Sequence, residues 1–253
     1  MSQQAEKRSA TGVITITEFE AGHAVRHFFG TRGQPGNGQS PFGDLTSSGD
    51  GTSCGPLAVV SVRQVHGTDA LLVAQPIEAG KIFAGEWDAV ITNQVGVLVT
   101  VRTADCVPIL IHDPIHHVVA AVHSGWRGSV AGIVPKTLMR MQQEFGVQPK
   151  SIHVAIGPSA GPCCYEVDDA VLKPLQSHPF WKSVVRETVQ GRALLDLREF
   201  VRRQTHAAGV LEQNMWTVRH CTICQPGLFF SYRRDGVVRD TMTNGIMLSE
   251  PRC

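Results

Sequence analysis

The sequence predicts an α/β fold in a single domain, and three observations carry that expectation. Its 253 residues are 42% hydrophobic and 18% charged, which supplies a full core at a length of one or two domains. From Leu57 onward, short β-branched runs follow one another across brief turns, as strands do. Apolar residues at helical spacing begin only after them, and no linker or fixed-period repeat divides the chain.

Residues 1–20 read as a flexible, polar N-terminal tail, and 21–253 as the single domain. Residues 30–56 are crowded with Gly, Ser, Pro and Asp, the texture of a functional loop. The runs LAVVSVRQVH, ALLVA, DAVIT, VLVTV, VPILIHD and HVVAAVH predict strands. Ser124 can cap a helix through GWRGSVAGIVPKTLMRMQQEFG, within which Pro135 either kinks the pattern or starts a second segment. SIHVAIG predicts a strand, and VDDAVLKPLQ a helix with acidic residues in its first turn. In ALLDLREFVRRQTHAAG, Asp196 and Glu199 have capping-box spacing, Leu197, Phe200 and Val201 form an inner face, and Gly209 ends the helix. MWTV and LFF predict a strand-rich C-terminal segment.

Charge says little about partners. Lys+Arg 23 against Asp+Glu 22 leaves +1, which argues against a broad nucleic-acid footprint or a polybasic membrane anchor. The polar start MSQQAEKRSATG has no signal-peptide apolar region, and the run VGVLVTV stops at Arg102, too short to span a membrane. The expectation is a cytoplasmic chain. There thiols stay reduced, so 7 Cys signal metal binding, catalysis or packing before disulfides.

Chemistry concentrates in TADCVPILIHDPIHHVVAAVHSGWRG. A hairpin with a two-residue Pro114-Ile115 loop would set Asp113 opposite His116, Leu110 opposite Val119 and Cys106 opposite His123. In that register Val107, Ile109 and Ile111 share an apolar face with Val118, Ala120 and Val122. The other face is also mostly apolar, so both sides should be buried. Opposed residues are close enough for a thiolate and an imidazole to share one zinc ion. His66, in RQVHGTD where the chain leaves a strand, supplies a third donor. His66, Cys106 and His123 would leave one coordination position open, the arrangement of a catalytic zinc. Each of the three, taken alone, is equally at home as an ordinary packed side chain.

Asp105 and Arg127 bracket this end of the hairpin. Asp105 could move a proton or orient a ligand histidine, or simply pair with an arginine. Arg127, in the first turn of the following helix, could hold phosphate or stack on Trp126. The loop IGPSAGPCCYEVDD carries Cys163 and Cys164 without matching a phosphate-loop or dinucleotide pattern. Cys221-Thr-Ile-Cys224 is a lone CxxC; lacking a second pair, it reads as packing. Tyr232, Arg233 and Arg234 form an aromatic-basic turn that lines a pocket or caps a strand.

RQVHGTDA, DAVITNQVGVLVTVRTADCVPILIHDP, VVAAVHSGWRG, GPSAGPCCYEV and CTICQPGLFFSYRRDG resemble, in order, the signature segments of the YfiH/laccase-domain family. The resemblance spans roughly residues 57–236, and TADC followed by VHSGWRG at this spacing is highly specific. It implies a layered sandwich of mixed β-sheets flanked by helices, of α/β (α+β) class. It implies a zinc held by His66, Cys106 and His123, the trio already assembled. The implied activities are phosphorolysis of adenosine, inosine, guanosine and methylthioadenosine, and deamination of adenosine. Purine nucleosides and inorganic phosphate are then the expected partners, with no nucleic acid and no membrane. Within that reading Asp105, Arg127 and Cys106 are the expected catalytic residues, and Arg63, Gln64, Cys164 and Arg233 the expected substrate contacts.

Two other chemistries compete. A laccase-like copper oxidase of phenols needs many imidazoles, typically as His-x-His pairs, and the chain has none, although copper could enter a His/Cys site. A Cys–His hydrolase would use Cys106 as nucleophile and His123 as base.

Overall fold

Sheet formation follows the apolar runs. The computed structural model describes residues 6–8, 12–22, 24–33, 58–77, 81, 83–188 and 192–249. Most of the Gly/Ser/Pro-rich 30–56 stretch lies outside them. One six-stranded sheet runs, in spatial order, β1 (Glu6–Arg8), β2 (Ile14–Ile16), β3 (Val25–Phe29), β15 (Met242–Leu248), β7 (Val97–Thr103) and β4 (Ala58–Ser61). A second runs β14 (Met215–Thr217), β10 (His153–Ile156), β8 (Val107–Asp113), β9 (Val118–Ser124), β6 (Ala89–Thr92) and β5 (Ala70–Val73). Strands β11 (Glu166–Val167), β13 (Ala193–Leu195) and β12 (Val185–Glu187) make a small third sheet. Both large sheets are mixed: β4–β7, β5–β6 and β10–β14 pair in parallel, and their other neighbours are antiparallel.

Alternation along the β8–β9 hairpin sorts its side chains between two cores. Ile109, Ile111, Val118, Ala120 and Val122 face helices α3 (Ile133–Phe145) and α6 (Leu197–Ala207), meeting Ile133, Met141 and Phe200. Leu110, Val119 and Ala121 face the first sheet, meeting Val99, Val101 and Ile246. Both faces are buried, as the sequence predicts, and the layers run sheet, sheet, helix. Each large side chain so buried contributes about 1.5–3 kcal/mol. Shorter helices complete the chain: α1 (Thr17–Glu20), α2 (Trp126–Val130), α4 (Asp169–Leu175), α5 (Trp181–Val184) and α7 (Tyr232–Asp235).

Three expectations need correction, and one open choice is decided. Residues 6–8 and 14–20, expected within a flexible tail, form β1, β2 and α1, because Ile14, Ile16 and Phe19 bury against the first sheet's core. Of the two outcomes left open for 125–146, a kink or a second segment, the second holds, and the stretch forms two helices. Its break falls at Gly132, whose φ of 83° only glycine adopts readily; Pro135 sits in the first turn of α3, where no intrahelical N–H partner is missed. LFF forms no strand, and the last strand is β15.

The hairpin register is also shifted. The turn has four residues, Pro114 to His117, so Asp113 faces Val118 and Pro108 faces His123. A two-residue hairpin turn needs positive φ at its first position, which the proline ring forbids. Instead Asp113 Oδ1 accepts from the Ile115 N–H at 2.8 Å, and His117 takes the left-handed conformation at φ 51°. The shift is two residues, the strand period, so every side chain keeps its predicted face.

Candidate metal centre and its cavity

Three connections deliver the centre. Cys106 immediately precedes β8, His123 lies near the end of β9 on the same sheet face, and His66 lies in the segment leading from β4 to β5. One donor atom from each lies within 4.8 Å of the others. Cys106 Sγ is 3.7 Å from His66 Nε2, and the two imidazoles meet edge to face at 4.8 Å between centroids. The trio named from sequence is brought together although Cys106 and His123 are diagonal rather than opposed.

Asp88 was not legible as part of this site. The β6–β9 register sets Ala89 opposite Val122, so Asp88 reaches His123, whose N–H donates to the Asp88 carbonyl at 2.7 Å. The Asp88 carboxylate is fully buried. Its Oδ1 lies 2.6 Å from His123 Nδ1 and accepts the His66 N–H at 2.9 Å, while Oδ2 accepts the Gly67 N–H at 2.6 Å and the Val65 N–H at 3.2 Å. Three successive amides thus close around one carboxylate and hold His66 at φ 63°, left-handed for a non-glycine residue. Burial alone would raise the Asp88 pKa, but the His123 and amide hydrogen bonds outweigh it and hold the group ionised. With Nδ1 engaged, His123 keeps Nε2 for a ligand.

Charge at the centre is complementary. Burial pushes the Cys106 thiol up, yet the His123 and His66 imidazoles bring it down to about 6. Burial disfavours the His123 imidazolium, yet the Cys106 thiolate and Asp88 raise it to about 9. A thiolate, two imidazoles and a carboxylate fixing one of them are the donor set of a divalent transition-metal site. Space around it is tight as well: a Cβ at Gly125 would stand 2.6 Å from His66 Cδ2 and 3.1 Å from Cys106 Sγ. These residues fit a metal ion with three protein ligands.

The trio borders a cavity of about 870 Å³, within the range of small-molecule sites. Arg63, Gln64, Asp105, Arg127 and Arg233 line it with the ligands. Arg63 is largely exposed and pairs with Glu86 at 3.3 Å. The Gln64 amide is committed to the backbone of Arg102, accepting its N–H at 2.8 Å and donating to its carbonyl at 2.7 Å. Arg127 stacks on Trp126 at 4.4 Å, the second of the two readings that its sequence position left open, and also lines the cavity. Arg233 stacks on Tyr165 at 5.0 Å and donates to the Glu166 carbonyl at 3.0 Å.

Asp105, at φ 102°, accepts the Thr222 hydroxyl at 2.6 Å and the Arg233 N–H at 2.7 Å. Its carboxylate therefore ties the CTIC loop and the start of α7 to the residue preceding Cys106. Cys164 does not line the cavity; it stands with Cys163, Cys221 and Cys224, so the lone CxxC has partners after all. Thr222 and Tyr165 were missed because their places depend on loops that meet only in the fold.

Residues 50–249 match the family model described as multi-copper polyphenol oxidoreductase laccase. The chain is 39% identical over 183 residues, 70% of its own length and 67% of the relative's, to purine nucleoside phosphorylase YlmD of Geobacillus stearothermophilus. It is 34% identical over 195 residues, 74% of each chain, to adenosine deaminase RL5 from an unknown prokaryotic organism. The crystal structure of YlmD from Geobacillus stearothermophilus superposes with a TM-score of 0.82 at 32% identity, covering 98% of this chain and 100% of that one. That of the Bacillus licheniformis hypothetical protein YfiH gives 0.79 at 25% identity, covering 96% and 98%. With the sandwich, the His/Cys/His centre and these relatives together, the chain belongs to the YfiH/laccase-domain family of enzymes.

Proposed function

We propose that this chain is a zinc-dependent purine nucleoside enzyme. It splits adenosine, inosine, guanosine and methylthioadenosine with phosphate to give the base and ribose-1-phosphate, and it deaminates adenosine to inosine. The observation that carries the reading is a three-ligand metal centre opening onto a nucleoside-sized cavity rimmed by arginines. Relatives named for both reactions support it.

His66, Cys106 and His123 hold the ion, and the chemistry it supplies when bound is Lewis-acid activation of water for deamination. Asp88 fixes the His123 tautomer and the His66 backbone, so both imidazoles are presented before substrate arrives. Arg127, its plane steadied on Trp126, positions phosphate for attack on the ribose C1′, with Arg63 and Arg233 behind it. Trp126, Tyr165, Leu197 and Val62 give the base an apolar wall that excludes water. Asp105, whose two oxygens already accept hydrogen bonds, positions Cys106 and Arg233 and, as a carboxylate of the cavity lining, carries the proton to departing ammonia.

Incubation with adenosine, with and without phosphate, tests the reading. Adenine and ribose-1-phosphate should form only with phosphate, and inosine without it; absence of turnover under both conditions would refute it. Stoichiometric copper in protein purified without added copper would instead favour phenol oxidation.

A further inference from the structure

Four sulfurs meet outside the cavity lining, in loops that Asp105 contacts through Thr222. Strands β10 and β14 are parallel neighbours, with Val154 opposite Met215 and Ile156 opposite Thr217, so the loops after both leave the sheet at the same end. Those loops stay together: Ser159 bridges to Cys221, and the Thr222 N–H donates to the Ser159 carbonyl at 3.0 Å. One loop brings Cys163 and Cys164, the other Cys221 and Cys224. All four Sγ atoms lie within 4.8 Å of one another, with Cys163 and Cys224 at 3.9 Å.

Thiolates around a tetrahedral zinc, with Zn–S of about 2.3 Å, stand roughly 3.8 Å apart. The cluster is therefore near the spacing such an ion imposes. Donors gather at one of the four in particular, Cys221. Cys221 Sγ accepts the Gly161 N–H at 3.3 Å and is also approached by the amides of Ile223 and Cys224. Behind it lies the buried guanidinium of Arg198, which donates to the carbonyls of Val218 and His220 and faces the charge of Cys221 and Cys163. Four thiolates on one divalent ion carry a net double negative charge, half of which this buried cation offsets.

We propose that Cys163, Cys164, Cys221 and Cys224 bind a second, structural zinc ion that fastens the loop after β10 to the loop after β14. The four ligands close its coordination sphere, so it takes no part in catalysis. Thr222 sits between two of these ligands and donates to Asp105, which precedes Cys106; the ion thereby fixes one wall of the cavity. Arg234 reinforces the same loop by donating to the Thr222 and Ile223 carbonyls at 2.9 and 3.3 Å.

The test reads metal content and coordination, not turnover, and so is separate from the proposed reaction. In His66→Ala/His123→Ala, which removes the cavity centre, one zinc per chain should remain, with an all-sulfur shell at about 2.3 Å by X-ray absorption. Adding Cys221→Ser and Cys224→Ser should reduce that content to none. Unmodified protein needs no variant to fold: it should hold two zinc ions per chain, with Cys163, Cys164, Cys221 and Cys224 protected from alkylation until a chelator removes the metal. Metal-free His66→Ala/His123→Ala protein, nitrogen or oxygen in its shell, iron in place of zinc, or a Cys163–Cys224 disulfide in native protein would each overturn the proposal.

Discussion

Asp88 places one carboxylate against four donors, the His123 ring and three successive amides, and so couples two ligands that lie far apart in sequence. Asp88→Asn leaves one oxygen where two are needed and sets an amide NH2 against backbone N–H groups. Zinc affinity, measured by chelator competition, should fall about 10–100-fold while the far-UV spectrum is kept; unchanged affinity would make Asp88 a mere fold anchor. Arg127→Ala removes the stacked guanidinium from the cavity wall. It should raise the KM for phosphate about tenfold or more, a loss of about 1.4 kcal/mol or more, and depress phosphorolysis much further than deamination. At this scale the ligands were legible because Cys106 and His123 flank one hairpin and a His before Gly ends a run. Asp88 was not, since its role comes from strand pairing across 35 residues. The one signal it gave was a carboxylate directly before the apolar Ala89–Ile91 run.

Elements were predicted best where one periodicity ran unbroken. Strands β6 to β9 and helices α3 and α6 fall on their apolar patterns, and Asp196 caps α6 by accepting the Glu199 N–H at 3.0 Å. The Glu199 side chain, though, pairs with Arg202 and Arg203 rather than turning back to complete the box. Register was misjudged because it is set by the turn, where a proline and an Asp-capped loop of four residues outrank strand symmetry. The left-handed Gly132 separates α2 from α3, and its N–H closes on the Ser129 carbonyl at 3.0 Å. Gly132→Ala should cost about 1–2 kcal/mol, read as a lower urea midpoint at constant m-value. No loss would mean that the break tolerates a different backbone angle.

For the whole molecule, the near-balance of charge means that the proposed phosphate binding would rest on guanidinium groups placed at the cavity, with little net charge to gather an anion from afar. Strand order within the second sheet explains why the cysteines were undervalued in sequence: the pairs are separated by about 60 residues, and only the parallel β10–β14 neighbours make them one group. Among the described residues no helix is long and apolar enough to cross a membrane. The left-handed backbone at His66 has a consequence for the global balance between endurance and activity. Holding a non-glycine residue there costs of order 1–3 kcal/mol, which the fold carries to aim one imidazole. His66→Gly should therefore abolish metal binding at the centre and yet, in the presence of chelator, unfold at a higher denaturant concentration than the parent. A lower midpoint would show that the ring's packing outweighs the relief. The chain is in this sense less durable than its own core permits, and its most readily gained stability lies at the position where function would be lost.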